Sequence, residues 1–281
     1  MNCPRILAAG LFAVVIATGA LAQSRSEELM RKSGLWDQAA QMRLQMKAGV
    51  AQARAEAKAA GQTMLSEEEY GQLQSGIDRT FAPEVLRETM TLYMEELVTP
   101  ADQDEVMKWL SSDLGGRFTR WEVVAGTVEE IRKAETDAPK LLKALSPARR
   151  EQYRRLSVAL DAGNTIATLT INLTTAIVYG IGLVMPNTDA DGAARGIRQR
   201  MEGQRAGMVK HFAERSLQTY SYVYRNATDA QMEQYVRFAE SPAAQRYHQA
   251  GIKAIDQTIS QSALALGQDL GASMQERRNK S

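Results

Sequence analysis

The sequence predicts an all-α protein built of two tandem helical units, on three observations. Ala, Gln, Glu, Arg, Leu and Met dominate, while aromatic residues make up 6% and there are 7 prolines, which is the composition of helix formers. Capping residues punctuate the chain at helix-length intervals. One capped helix–turn–helix motif also occurs twice, 129 residues apart and without a gap.

The second copy of that motif runs from Thr228 to Tyr247. Thr228 is placed as an N-cap before a short helix carrying Met232, Tyr235, Val236 and Ala239 on one face, and Ser241-Pro242 opens the next helix. Upstream, Thr99, Val106, Lys108, Trp109, Ser112, Gly115, Arg117 and Phe118 fall opposite Thr228, Tyr235, Arg237, Phe238, Ser241, Ala244, Arg246 and Tyr247. Gly34 and Gly163 share the same offset, which extends the expected unit to roughly 120 residues and divides the chain into 1–22, 23–145 and 146–281.

Residues 1–22 read as a cleaved signal peptide. Arg5 supplies the positive start, Ile6 to Leu21 an apolar stretch, and Ala20-Leu21-Ala22 a small-residue cleavage site. The only cysteine, Cys3, lies inside this leader, so the mature chain is expected to hold no disulfide and no cysteine metal site. Without Arg5 the charges balance at 33 each, which predicts no long-range field for nucleic acid or an anionic membrane. A hydrophobic content of 44% suffices for a folded core. A periplasmic or secreted address follows.

Along the mature chain, Ser24 or Ser26 caps a first helix ending at Gly34, and Leu35 to about Ala60 forms the second. Ser66 to Glu69 is a capping box launching a third helix to Phe81. Pro83 opens the fourth, with Val85, Leu86, Met90, Tyr93 and Leu97 at helical spacing, and Thr99-Pro100 the fifth. A long helix is expected from Asp113 to Leu145 with a break or kink at Pro139, and Ser146-Pro147 starts another reaching Gly163. Thr165 to Met185 is an uncharged run of membrane-spanning length, yet it carries five threonines and a central Asn172. Three readings stay open for it: a buried central helix close-packed through Ala176, Gly180 and Gly182, a membrane segment, or a strand pair. The first is the expectation and membrane insertion is not. After a turn at Asn187 to Gly192, one long helix is expected over Arg195–Arg225, and a last one over Pro242–Leu270 before a frayed tail.

No catalytic constellation accompanies these helices. His211 and Glu214 have helical i, i+3 spacing but no third ligand, so no metal and no cofactor is expected. Neither GxSxG nor Ser-x-x-Lys occurs in the mature chain. Carboxylates such as Glu129–Glu130 read as solvated helix faces, as does the basic run Arg149, Arg150, Arg154 and Arg155. Thirteen methionines read as core filler, Met42 and Met46 included. Tyr220, Tyr222 and Tyr224 are the unusual feature: successive members lie about 200° apart around a helix, so they cannot all face one core.

The capped short helix followed by Ser-Pro-x-Gly resembles the bacterial domain-of-unknown-function family 2059. The second unit matches through Tyr222, Thr228, Phe238, Ser241 and Pro242, with Ala244 where the family's glycine stands; the first supplies Gly115 but has Asp113 for the proline. Glu28 to Leu35 resembles the family's beginning. The resemblance covers about 27–126 and 158–269, and implies an exported all-helical protein with no catalytic residue to carry over. The expected function is a non-catalytic interaction module binding a protein, peptide or envelope component at the seam between the units. Its candidate contacts are Trp109, Tyr222, Tyr224, Arg237, Phe238, Arg246 and Tyr247, with Thr99, Ser112, Thr228, Ser241 and Pro242 as structural caps. The rivals are an envelope-associated structural protein held by 165–185 and a hydrolase with carboxylates gathered across helices.

Overall fold

The computed structural model describes residues 24–61, 66–184 and 187–280; the expected signal peptide lies outside them. The described residues form thirteen α-helices and no strand. In chain order they are α1 (Arg25–Lys32), α2 (Leu35–Ala59), α3 (Glu67–Thr80), α4 (Pro83–Leu97) and α5 (Pro100–Leu110). Then come α6 (Asp113–Ala125), α7 (Val128–Ala144), α8 (Pro147–Ala159) and α9 (Ala162–Val184). The last four are α10 (Ala190–Gly203), α11 (Arg205–Val223), α12 (Asp229–Ala239) and α13 (Pro242–Lys280).

Local capping sets most of these boundaries. Ser24, Thr99, Ser112, Ser146 and Thr228 each accept a hydrogen bond from a backbone N–H three residues on. Ser66 with Glu69, and Thr228 with Gln231, close reciprocal capping boxes. Ser241 Oγ accepts from Ala244 N at 3.3 Å, and Pro242 stands first in α13, where its missing N–H costs no bond. Gly34 takes φ +79° between α1 and α2, a backbone state open to glycine at no steric cost.

Four boundaries differ from the sequence expectation. The long helix over 113–145 breaks at Gly126–Thr127, where Thr127 caps α7, and Pro139 is carried inside α7 instead. The helix over 195–225 breaks at Gln204, separating α10 from α11. α13 continues to Lys280 without ending near Leu270. Gly163, expected to end a helix as Gly34 does, lies within α9; the left-handed turn there belongs to Asp161 at φ 41°. Gly163 is small for another reason: a Cβ on it would lie 2.5 Å from the Val209 carbonyl of α11.

Two cores organise the bundle, and neither is confined to one side of 145/146. The larger joins Leu29, Met30, Ile77, Phe81, Leu86, Met90 and Met94 to Ala254, Ala263 and Leu266 of α13. Each of these large side chains stabilises the fold by about 1.5–3 kcal/mol through burial. The second joins Phe118 of α6 to Tyr153 and Leu156 of α8 and to Tyr224, Met232 and Val236. α13 therefore spans both halves, packing on α9 and also on α3, α4 and α5.

α9 is the hub for α10, α11 and α13, but it is not enclosed on all sides as expected of a central helix. Only 28% of its most apolar stretch is buried, and Leu183 is 47% exposed. Its crossing with α13 is backbone on backbone. A Cβ on Gly180 would meet the Leu264 carbonyl at 2.3 Å, and one on Gly267 the Ile177 carbonyl at 2.4 Å. Asn172, at mid-helix, donates to both carboxylate oxygens of Asp256 at 2.9 Å and accepts from Arg198 Nη2 at 3.0 Å. The amide is thus satisfied by charged groups from α13 and α10.

The basic run on α8 is more than a solvated face. Arg149, 9% exposed, donates to Asp229 Oδ1 at 2.8 Å and to the Ala227 carbonyl at 2.8 Å, fastening α8 to the start of α12. Arg155 bridges Glu233 at 3.0 Å and Glu240 at 2.7 Å on α12. His211 and Glu214 are both exposed on α11.

Candidate functional site: a twin cavity at the seam

The C-terminal ends of α5 and α12 bring the aligned positions Trp109 and Phe238 together. Their rings stack at 4.8 Å with 13° between planes, so two residues 129 positions apart in the sequence touch. Tyr235 lies 6.0 Å from Trp109 with 13° between planes, and Phe118 packs 4.4 Å from Tyr235 and 5.4 Å from Tyr224. This aromatic cluster joins α5 and α6 to α11 and α12.

Two cavities flank the cluster. The first, about 430 Å³, lies among α2, α6, α7 and α11 and is lined by Met42, Glu122, Glu135, Arg215, Tyr220 and Tyr222, among others. The second, about 310 Å³, lies among α2, α5, α6, α12 and α13 and is walled by Trp109, Phe118, Tyr235, Phe238, Tyr247 and His248, among others. Both fall in the range of roughly 300–1,000 Å³ typical of small-molecule sites. Gln38, Glu122 and Tyr224 line both cavities and so form the partition between them.

Glu122 is the chemical centre of this partition. Tyr224 Oη and Tyr235 Oη each donate to its Oε1 at 2.7 Å. Among the described residues no donor reaches Oε2 and no cation pairs with the carboxylate. Glu122 is half-buried and borders both cavities, so part of its surface stays open to whatever fills them. Desolvation raises its carboxyl above the ordinary 4.5, and the two tyrosine hydrogen bonds oppose that rise by stabilising the anion. Burial, together with the charge of Glu122, pushes Tyr224 and Tyr235 far above the ordinary tyrosine range.

The second cavity holds two further polar groups. His248 Nε2 lies 2.9 Å from the Leu160 carbonyl, and burial lowers its pKa, favouring the neutral imidazole. The Tyr247 hydroxyl is buried without a hydrogen-bond partner among the described residues. Ser33 lies beside it, outside bonding geometry, and gives its own hydroxyl to the Met30 carbonyl at 3.2 Å.

The residues singled out from sequence divide cleanly. Trp109, Phe238 and Tyr247 line the second cavity, Tyr222 the first, and Tyr224 both. Tyr222 also donates to Glu130 Oε2 at 2.7 Å; Lys133 first and then Tyr222 hold that carboxyl below its ordinary value, so Glu130 is no simple solvated charge. Arg237 and Arg246 do not reach the cavities. Arg237 is exposed and pairs with Glu233 at 3.2 Å along its own helix. Arg246 pairs with the buried Asp102 at 2.6 Å, tying α13 to α5. Thr99, Ser112, Thr228, Ser241 and Pro242 stand at helix starts as caps and line neither cavity, and Thr99 Oγ1 donates besides to Asp102 at 2.8 Å.

Glu122 escaped the sequence reading. Its signal was a lone acid within the otherwise apolar run from Trp121 to Ala125, four residues after Phe118 and so on the same helix face as a core aromatic.

No protein-family model matches the chain, nor does any curated protein or solved structure.

Proposed function

We propose that this is an exported, non-catalytic helical binding protein that holds a small, largely apolar ligand in the twin cavity at its seam. One observation carries the proposal: two cavities of ligand size share a partition made of Glu122 and Tyr224, with aromatic walls drawn from both capped motifs. Concave, aromatic-lined space with few polar groups suits a small molecule better than the flat face of a folded partner. The export component rests on the leader-like composition of residues 1–22.

A neutral apolar fluorophore, N-phenyl-1-naphthylamine, tests the cavity. A Cβ added at Gly251 meets only the Leu35 Cδ1 at 4.0 Å, and Gly251 lines the second cavity, so Gly251→Leu is the substitution that narrows it. Dye uptake by the wild type, and its loss in Gly251→Leu with unchanged circular dichroism, is the expected result. Equal uptake by both proteins would place the dye elsewhere and remove the proposal.

The envelope-anchor reading has one observation in its favour, the 22-residue apolar stretch Ala162–Leu183 with most of its length unburied. Resistance of the protein to carbonate extraction from membranes would support it, and release by osmotic shock would remove it. The hydrolase reading asked for three or more converging acids; among the described residues the first cavity gathers two, Glu122 and Glu135.

A further inference from the structure

We infer that the second cavity takes a small organic cation, an ammonium on an apolar body, with Glu122 as its counter-charge and Trp109, Tyr235 and Phe238 as its aromatic cradle. The inference rests on the cavity-binding proposal above and names the class of ligand.

The geometry starts from the carboxylate. Glu122 Oε1 is already occupied by two tyrosine hydroxyls, whereas its Oε2 receives no protein donor among the described residues. A half-buried carboxylate without a cation is partly desolvated and gains from a partner charge. Here the protein supplies none, while the cavities bring solvent space to the group. A ligand ammonium is the partner that fits, donating to Oε2.

The charge balance of the linings points the same way. In the second cavity the other titratable group besides the tyrosines is His248, held neutral by burial. In the first, the two acids Glu122 and Glu135 outnumber the one lining cation, Arg215. An anionic ligand would meet this charge in a poorly solvated space and be repelled. A neutral ligand could give it a hydrogen bond but not the charge pairing a cation adds. Aromatic faces carry the negative end of the ring quadrupole, and cations within about 6 Å of a ring centroid are attracted to it. Trp109, Tyr235 and Phe238 pack together on the wall of that cavity.

Burial holds the Glu122 carboxyl above its ordinary range while the site is empty of charge. A bound cation would bring it down, because an opposite charge at close range favours the ionised form.

The test is displacement of N-phenyl-1-naphthylamine from the purified protein by 2-phenylethylammonium and by its neutral isostere n-propylbenzene. The wild type should prefer the cation by about tenfold, the scale set by one desolvated cation–π and charge contact. Glu122→Gln keeps an oxygen acceptor for both tyrosines, removes the charge, and should reduce that preference to below about twofold. Trp109→Leu tests the same preference through the cradle, and serves should Glu122→Gln fail to fold. Equal displacement by both probes in the wild type leaves the cavity a binding site and overturns the cation. A preference that survives in both folded variants overturns the assigned residues. Absence of dye uptake by the folded wild type overturns the cavity proposal, and the cation with it.

Discussion

Tyr235→Phe should destabilise the protein more at high pH than at low pH, and Glu122→Gln should erase the difference. The substitution deletes one hydroxyl, whose only recorded bond is the 2.7 Å donation to Glu122 Oε1, and leaves the ring contacts with Trp109 and Phe118 in place. When Glu122 is ionised the lost bond is charge-assisted and costs about 1.5–3 kcal/mol; when Glu122 is protonated it is a neutral bond costing about 1 kcal/mol. The sign follows from linkage. Glu122 has a raised folded pKa, so its protonated form favours the native state, and that contribution is complete below the ordinary 4.5 of the unfolded chain. It is lost as pH rises through the folded value. Removing Tyr235 Oη takes away a donor to the anion and raises that folded value further, so the variant loses more on the alkaline side. Urea unfolding of wild type and variant at about pH 4 and about pH 8 should give costs near 1 and near 2 kcal/mol respectively. In a Glu122→Gln background the two costs should agree, since no charge is left to lose. A cost independent of pH in the wild-type background would show that the hydroxyl does not hold an ionised Glu122, and the partition would need another account.

Thr99→Ala should cost about 2 kcal/mol and Thr228→Ala about 1 by the same unfolding assay, because Thr99 Oγ1 both caps α5 and donates at 2.8 Å to buried Asp102. Equal costs would show that the Asp102–Arg246 tie does not depend on Thr99. Alanine at Gly267 should cost about 1–3 kcal/mol despite its better helix propensity, since the carbonyl 2.4 Å away belongs to backbone. Alanine at Gly196, which meets nothing within 4 Å, should stabilise by about 0.5–1 kcal/mol, and the opposite signs are read directly from melting temperatures. Arg149→Met should cost about 1–3 kcal/mol by stranding the Ala227 carbonyl, whereas Arg237→Met, at an exposed intrahelical pair, should change stability by under about 0.5 kcal/mol.

Much of the helix map was legible in the residues because capping is local chemistry. Ser66, Thr99, Ser112, Ser146, Thr228 and Ser241 each satisfy N–H groups a few residues away, and nothing distant alters that. The breaks at Gly126–Thr127 and Gln204 were less legible. There, a valine-rich run into Thr127, and Arg198 to Arg205 around Gly203, keep helix-forming composition on both sides. Pro139 misled for the converse reason: an interior proline forfeits one backbone hydrogen bond, and α7 tolerates that loss within its packing against α11.

The sequence by itself determined that the chain is all-α, where most helices start, and that Trp109 and Phe238 stand 129 residues apart near the ends of two similarly capped short helices. Only the tertiary structure decided that those two rings stack on each other, that α13 serves both cores, and that Arg246 ties helices together while Arg237 faces water. Above all it decided the role of Glu122. In the sequence it is one acid among 33. Its chemistry comes from helices remote in the chain, which bring Tyr224 and Tyr235 to one of its oxygens and leave the other facing a cavity. Helix caps act over three or four residues and can be read along a line, whereas desolvation and charge isolation are set by everything around a group in space.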